Sequence, residues 1–495
     1  MFTNPRPRRA VPAVVMTMLL AACAAAFDEP LAHAGGWPPL WQDAPQPTQT
    51  DFTQPNFEAP SAAHCHRPPS TREVPGRGSE MQGRAEHHGV QAEAAPMLRR
   101  RDAAPAAEAK SAASPAAGAV AADSASRFAP DPWSQPQPTP PIAQRPAHET
   151  VTAGMVDDNA DFGEYLRYRE RKAGLPVRER DISERYLLEV TDAHGHPVHD
   201  AEVAVQRAGV AQPLMWARTD TAGRVWLHPR AFLSPSAANE RTLGVAVRKG
   251  GTQARAMLLR GQSSAVQVRL GSVGVAARPR LDLVFLVDAT GSMGDEIAKL
   301  KTSMRAMSQQ IAQLPGQPDI CYGLVAYRDR GDAFLTRTHD FTDDLGSFQQ
   351  QLARVQAAGG GDTPEALNEA LHEVVHGLSW RADAARMVVL VADAPPHLDY
   401  GGPQYDIDMQ AALAKGIKLF AVGASGLDPV GEYIYRQIAQ YTAGRFVFLT
   451  YREASDPGSG PGTQTLHDVN QYSVQTLDRL IVRLVGEEMA RLRRG

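Results

Sequence analysis

The stretch LDLVFLVDATGSM, residues 281–293, decides the fold. Its first seven residues are almost wholly apolar, and the run stops at Asp288 before a loop that holds two hydroxyls and a glycine. A strand apolar on both faces must be covered on both faces, which is the condition of an inner parallel strand. Outward from it the same unit recurs. A helix is predicted from about Asp295 to Gln313, then the strand ICYGLVAY (320–327), then helices near 345–356 and 365–377. MVVLVA (387–392), a helix near 403–415, IKLFAVGA (417–424), a helix near 431–442 and RFVFLT (445–450) complete the series. Strands each followed by helices predict an α/β fold with a doubly wound, mostly parallel sheet over 280–452. In such sheets ligands bind outside the carboxyl ends of the strands.

Asp288, Thr290 and Ser292 stand at such an end. All three offer oxygen, and hard divalent cations take oxygen ligands; Mg2+ in particular keeps several waters and uses few carboxylates. Gly291 lets the loop turn so that alternate side chains converge. Each residue also has a plainer reading. Ser292-Met293-Gly294-Asp295 has the form of a capping box, and Asp288 alone could be an ordinary strand-end carboxylate.

Together with two further loops, VFLVDATGSM resembles the first motif, Asp-x-Ser/Thr-x-Ser, of the metal-ion-dependent adhesion site of von Willebrand factor type A domains. Gly359-Gly360-Gly361-Asp362-Thr363-Pro364-Glu365-Ala366 resembles the second motif, and Asp393, which ends MVVLVA, the third. YGLVAYRDRGD (322–332) and FTDD (341–344) are similar to bacterial members of the family. The resemblance implies that Thr290, Ser292 and one residue of the second motif contact a divalent cation, Mg2+ first, with Mn2+ or Ca2+ as alternatives. It implies that Asp288 and Asp393 act largely through bound water, leaving a position for an Asp or Glu carboxylate of a protein ligand. In the second motif a threonine is the usual ligand, which points to Thr363. Yet Thr363-Pro364 also has the form of an N-cap followed by proline at the first helical position. Counted back from Ala370-Leu371, the usual position is Glu365, and Asp-Thr-Pro-Glu resembles the integrin β-subunit version in which the glutamate coordinates. The spacing favours Glu365. Arg330-Gly331-Asp332 reads as a polar strand-end turn.

The chain outside this segment divides further. Residues 1–23 carry Arg6, Arg8 and Arg9 before a short apolar run ending in Leu20-Ala21-Ala22-Cys23. This reads as an export signal; its end resembles a bacterial lipobox, with Cys23 as the lipidation site, and a cut after Ala32-His33-Ala34 is the alternative. Residues 24–154 are rich in Pro and Ala without sustained periodicity and predict a disordered tether. Residues 155–182 predict a short helical lead-in. Over 183–271 the period changes to two, in segments such as YLLEVTD and LGVAVRK, which predicts a small antiparallel β-sandwich. VTDAHGHPVHDAEVAV (190–205) resembles carboxypeptidase-regulatory or transthyretin-like domains, commonly spacers or binding modules. His194, His196 and His199 near its first turn read as surface residues, and residues 453–495 as a linker and a terminal helix. Cys65 and Cys321 lie in dissimilar surroundings and are expected to form no disulfide.

The formal net charge of -4 over 495 residues, with basic residues scattered, excludes a nucleic-acid footprint. A phosphohydrolase of the haloacid dehalogenase type also begins with Asp after an apolar strand, but it needs a second acid where Thr290 stands. The sequence thus predicts a non-catalytic protein of the cell envelope, lipid-anchored to a bacterial membrane. It would capture a protein ligand through one divalent cation; a scaffold with a vestigial metal site is the alternative.

Overall fold

Strand β10 (Arg280–Asp288) lies at the middle of a ten-stranded sheet, and every residue from Leu281 to Asp288 is buried. It pairs in parallel with β11 (Asp319–Tyr327) on one side and β13 (Ala384–Ala392) on the other. β14 (Ile417–Gly423) and β15 (Arg445–Glu453) extend the parallel core. The structure is a computed structural model that describes residues 65, 69–76, 150–210, 212–233, 239–263, 265–274, 278–361 and 363–492, all within one compact unit. Cys23, with its export signal, and Asp362 lie outside the described residues.

Side chains alternate across the sheet, as a pleated strand requires. Leu281, Leu283, Phe285 and Val287 join one core layer with α2 (Ile297–Ala312), α3 (Leu345–Arg354) and α7 (Leu477–Leu492). Val284 and Leu286 join the other, with α4 (Leu367–His372), α5 (Tyr405–Ala414) and α6 (Pro429–Tyr441). Both faces of β10 are therefore covered, and the mostly parallel α/β architecture follows.

The sheet is nevertheless mixed, through strands that the apolar pattern did not reveal. β12 (Thr336–Thr342) runs antiparallel to β11, and β1 (Thr71–Val74) antiparallel to β12. At the far edge β2 (Thr152–Val156) pairs antiparallel with β15, and β17 (Gln475–Thr476) with β2. β16 (Asp456–Pro461) returns on β15 as a hairpin where a linker was expected. Part of the stretch read as a tether is thus sheet. β1 carries its neighbour Cys65 to the buried Cys321, and the two form a disulfide with Cα atoms 5.8 Å apart. The expectation of no disulfide was wrong because pairing of β1 along an edge strand brings together residues 256 positions apart.

Before the sheet's main run stand α1 (Phe162–Arg171) and a seven-stranded sandwich. One layer is β6 (Arg224–Leu227), β3 (Tyr186–Thr191) and β9 (Val266–Arg269). The other is β5 (Met215–Arg218), β4 (Glu202–Gln206), β7 (Thr242–Lys249) and β8 (Thr252–Leu259). Its pairs are antiparallel except β3 with β9, which is parallel. His194 and His196 are exposed as expected, whereas both ring nitrogens of His199 are buried. The neighbouring Asp200 carboxylate, itself buried, reaches the Arg386 guanidinium of β13 at 2.9 Å and ties sandwich to sheet. That guanidinium and Arg218 hold the Asp200 carboxyl well below the usual range against the opposing effect of burial.

Candidate metal centre

β10 ends at Asp288 directly beside Tyr327, its register partner on β11. The Asp288 carboxylate is fully buried. Oδ1 accepts from the Thr290 backbone N–H at 2.9 Å and from Thr290 Oγ1 at 2.7 Å. Oδ2 accepts from the Tyr327 hydroxyl at 3.1 Å. Thr290 Oγ1 lies 3.1 Å from Ser292 Oγ, which donates to Asp393 Oδ1 at 3.1 Å. The first and third motifs are thereby joined in one polar chain. Ser292 is no helix cap: the turn Gly291–Asp295 and α2 both begin without a side-chain cap, and the hydroxyl faces Asp393 instead.

The second motif reaches the same place by backbone contacts. Gly291 N–H donates to the Gly359 carbonyl at 2.8 Å and Ala358 N–H to the Ala289 carbonyl at 3.0 Å, which fixes one loop on the other. α4 begins at Leu367, after Ala366, so Thr363-Pro364 is not an N-cap followed by the first helical residue. Thr363 is exposed, whereas Glu365 is buried (2%) and held by Glu365 N–H to Pro395 O at 3.0 Å and His397 N–H to Glu365 O at 3.2 Å. Its Oε2 is buried with no hydrogen-bond partner among the described residues, and its Oε1 lies against the Gly360 backbone beside Thr290. The structure therefore brings Asp288, Thr290, Ser292, Glu365 and Asp393 to one place and leaves Thr363 on the surface.

Sequence reading missed several residues that hold these loops. Asp332 Oδ2 accepts from Asp329 N–H at 3.1 Å and from Gly360 N–H at 2.9 Å, so the Arg330-Gly331-Asp332 turn anchors the second motif. Arg328 donates to the Ala289 and Gln356 carbonyls at 3.1 and 3.0 Å. His397 lies 3.0 Å from Asp329 Oδ1. Arg328, Asp329 and Asp332 had a signal of a kind, as charged residues following the end of an apolar strand.

The electrostatics fit a cation. Burial pushes the Asp288 carboxyl up to about 7, with Asp393 adding to the effect against the hydrogen bonds from Thr290 and Tyr327. Burial also pushes Glu365 up to about 9, followed by the charges of Asp288, Asp329, Asp332 and Asp393. Asp393 is raised by burial, opposed by Ser292. The charges acting most strongly on Glu365 are all negative, and one of its carboxylate oxygens is buried with no hydrogen-bond partner among the described residues. Such a donor set suits a hard divalent ion.

Residues 282–455 match the von Willebrand factor type A domain family. The chain therefore contains a von Willebrand factor type A domain there, a Rossmann-like α/β fold with a mostly parallel sheet. Domains of this family commonly mediate protein interactions and often bind a divalent cation. The chain is 29% identical over 133 residues to the alpha-protein kinase vwkA of Dictyostelium discoideum, a match spanning 26% of this chain and 21% of the kinase. It is 37% identical over 112 residues to von Willebrand factor A domain-containing protein 7 of Rattus norvegicus, spanning 22% of this chain and 12% of that protein. The matches thus span about a fifth or less of those relatives' length. Among solved structures, the conserved hypothetical protein BatB from Bacteroides thetaiotaomicron aligns with 43% of this chain and all of its own, at 14% identity and a TM-score of 0.30.

Proposed function

We propose that the chain is a non-catalytic binding protein whose type A domain captures a protein ligand carrying an Asp or Glu carboxylate. The observation that carries this reading is the buried Glu365 carboxylate, whose Oε2 has no hydrogen-bond partner among the described residues, whose Oε1 lies by Thr290 of the Asp288–Thr290–Ser292–Asp393 chain, and which is surrounded by negative charge. Thr290, Ser292 and Glu365 would hold the ion, Mg2+ before Mn2+ or Ca2+, with Asp288 and Asp393 acting through their hydrogen bonds to Thr290 and Ser292. When bound, such an ion supplies an exposed Lewis-acidic point that a partner's carboxylate can complete.

The residues themselves do the rest. Tyr327 and the Thr290 N–H orient Asp288, Asp332 fixes the Gly360 loop, and Glu365 contributes an added negative charge that tightens cation binding and weakens the pull on a partner's carboxylate. Thr290 stands where a phosphotransfer acid would be needed, which supports a binding role over a catalytic one. In this reading the protein is exported and lipid-anchored through Cys23 to a bacterial envelope membrane, with the sandwich as a spacer or accessory binding module.

Capture of an envelope partner by the full chain, with Mg2+ and with chelator, tests the proposal. Binding should need the cation and vanish in Asp288→Ala; equal capture in chelator would favour a scaffold with a vestigial site. Metal titration of Glu365→Ala beside Thr363→Ala should show the loss in the glutamate variant; loss in the threonine variant alone reverses the ligand assignment. Cys23→Ser should leave the membrane fraction or remain an uncleaved precursor, and unchanged fractionation removes the lipoprotein reading.

A further inference from the structure

The helix that follows Glu365 carries a second constellation that the adhesion-site motifs do not include. α4 ends at His372 and continues as a wider π turn over Glu373–Gly377, which places His376 one turn beyond His372, with ring centroids 4.4 Å apart. Both imidazoles face Asp408 of α5. His372 Nδ1 lies 3.1 Å and His376 Nε2 3.0 Å from the same oxygen, Asp408 Oδ1. The three ligand atoms fall within 4.8 Å of one another. Asp408 is 1% exposed, and its second oxygen, Oδ2, is buried with no hydrogen-bond partner among the described residues. The Lys415 ammonium, which could have answered that oxygen, is held by the Val375 carbonyl at 2.7 Å.

We propose that His372, His376 and Asp408 form a zinc site that ties the helix carrying Glu365 to α5. Two imidazole nitrogens and one carboxylate oxygen are a donor set that Zn2+ accepts and that Mg2+, which prefers oxygen alone, does not. Bonds of about 2.0–2.2 Å to a tetrahedral ion set ligand atoms about 3.3–3.6 Å apart, a few tenths of an ångström beyond the two His–Asp408 separations, and the two imidazole nitrogens, within 4.8 Å of one another, would take the same spacing. The partly exposed His372 leaves a side open for entry and for water as a further ligand. The string His372-Glu373-Val374-Val375-His376 has the spacing of a hydrolytic zinc helix, in which the glutamate serves as base. Here Glu373 is paired with the Arg72 guanidinium of β1, so the site binds and braces rather than hydrolyses. The inference is independent of whether the Asp288 loop holds a cation.

The full chain, stripped with chelator, is titrated with Zn2+ in excess Mg2+ against a chromophoric zinc indicator. Co2+ absorption provides a second readout of imidazole coordination. Wild type should take up zinc, and His372→Ala/His376→Ala should bind it at least about tenfold more weakly, as should Asp408→Asn, which keeps the shape of the carboxylate. His372→Gln at the partly exposed ligand serves where the double variant fails to fold, with the same expected loss. A folded wild-type chain that takes up no zinc, or zinc held equally by the folded variants, overturns the site.

Discussion

Replacing Asp288 by Asn should stabilise the metal-free protein at alkaline pH while abolishing its response to cation. The Asp288 carboxyl is fully buried and is raised from 3.8 to about 7, by burial first and Asp393 second. A carboxyl raised in the folded state is favourable to folding while it stays protonated. Its contribution is complete below the unfolded value near 3.8 and is lost as pH climbs through about 7. A rise of that size corresponds to about 4 kcal/mol of stability lost by pH 8. Asparagine carries no charge to desolvate, its oxygen can still accept from Thr290, and the Tyr327 hydroxyl can turn to accept from the new amide. Urea unfolding in chelator should therefore find the two proteins equal near pH 4 and the variant ahead at pH 8. The gap should widen by ~2–3 kcal/mol between pH 5 and 8. Saturating Mg2+ should raise the parent's midpoint and leave the variant's unmoved. A variant less stable than the parent at pH 8, or a gap that does not change with pH, would refute the reasoning.

Gly360 has φ +60°, and a Cβ there would meet Glu365 Oε1 at 2.6 Å and Thr290 Cβ at 2.9 Å. Gly360→Ala should weaken cation binding sharply in a metal titration while costing only ~1–2 kcal/mol in urea. Arg381, 1% exposed, donates to Asp282 Oδ1 at 2.6 Å and through its backbone to Oδ2 at 2.8 Å. Asp282→Ala removes the buried carboxylate and leaves that guanidinium with Asp319 Oδ2, at 3.0 Å, as its counter-charge, and should cost ~2–3 kcal/mol in urea unfolding. Cys65→Ser opens a cross-link across 256 residues and should cost ~2–5 kcal/mol, with faster tryptic cleavage at Arg72 of the released β1.

The inner sheet was legible because burial on both faces leaves a mark in composition: β10, β11, β13 and β14 read as apolar runs. The edges were not, because their residues are buried by other means. β12 reads TRTHDFT, a polar string, yet Thr338 and Asp340 are 1% exposed. Asp340 Oδ1 accepts the backbone N–H of Phe341 and of Ser379, and β1 covers the strand's outer side. β1 itself is four residues in a Pro-rich stretch whose only strong partner signal, Cys65, lies 256 positions from the cysteine it joins. Pairings at that distance leave no local period to read.

The site divides along the same line. Asp288, Thr290 and Ser292 were legible because a loop of alternate residues must converge wherever it is placed, and Asp393 because it ends an apolar strand. The choice within the second motif turned on a helix boundary. A helix starting at Pro364 would have made Thr363 its cap; the observed start at Leu367 exposes Thr363 and folds Glu365 inward through two backbone bonds to the loop after Asp393. That boundary is set by the 395–397 segment, which is distant in sequence. Tyr327 and Asp332 belong to the same category. Tyr327 faces Asp288 only because β10 and β11 pair in that register, and Asp332 reaches Gly360 only because the turn after β11 folds under the second motif. Chemistry held by one loop is thus written in that loop, whereas the carboxylates that must be neutralised together are assembled by strand register and by contacts between loops.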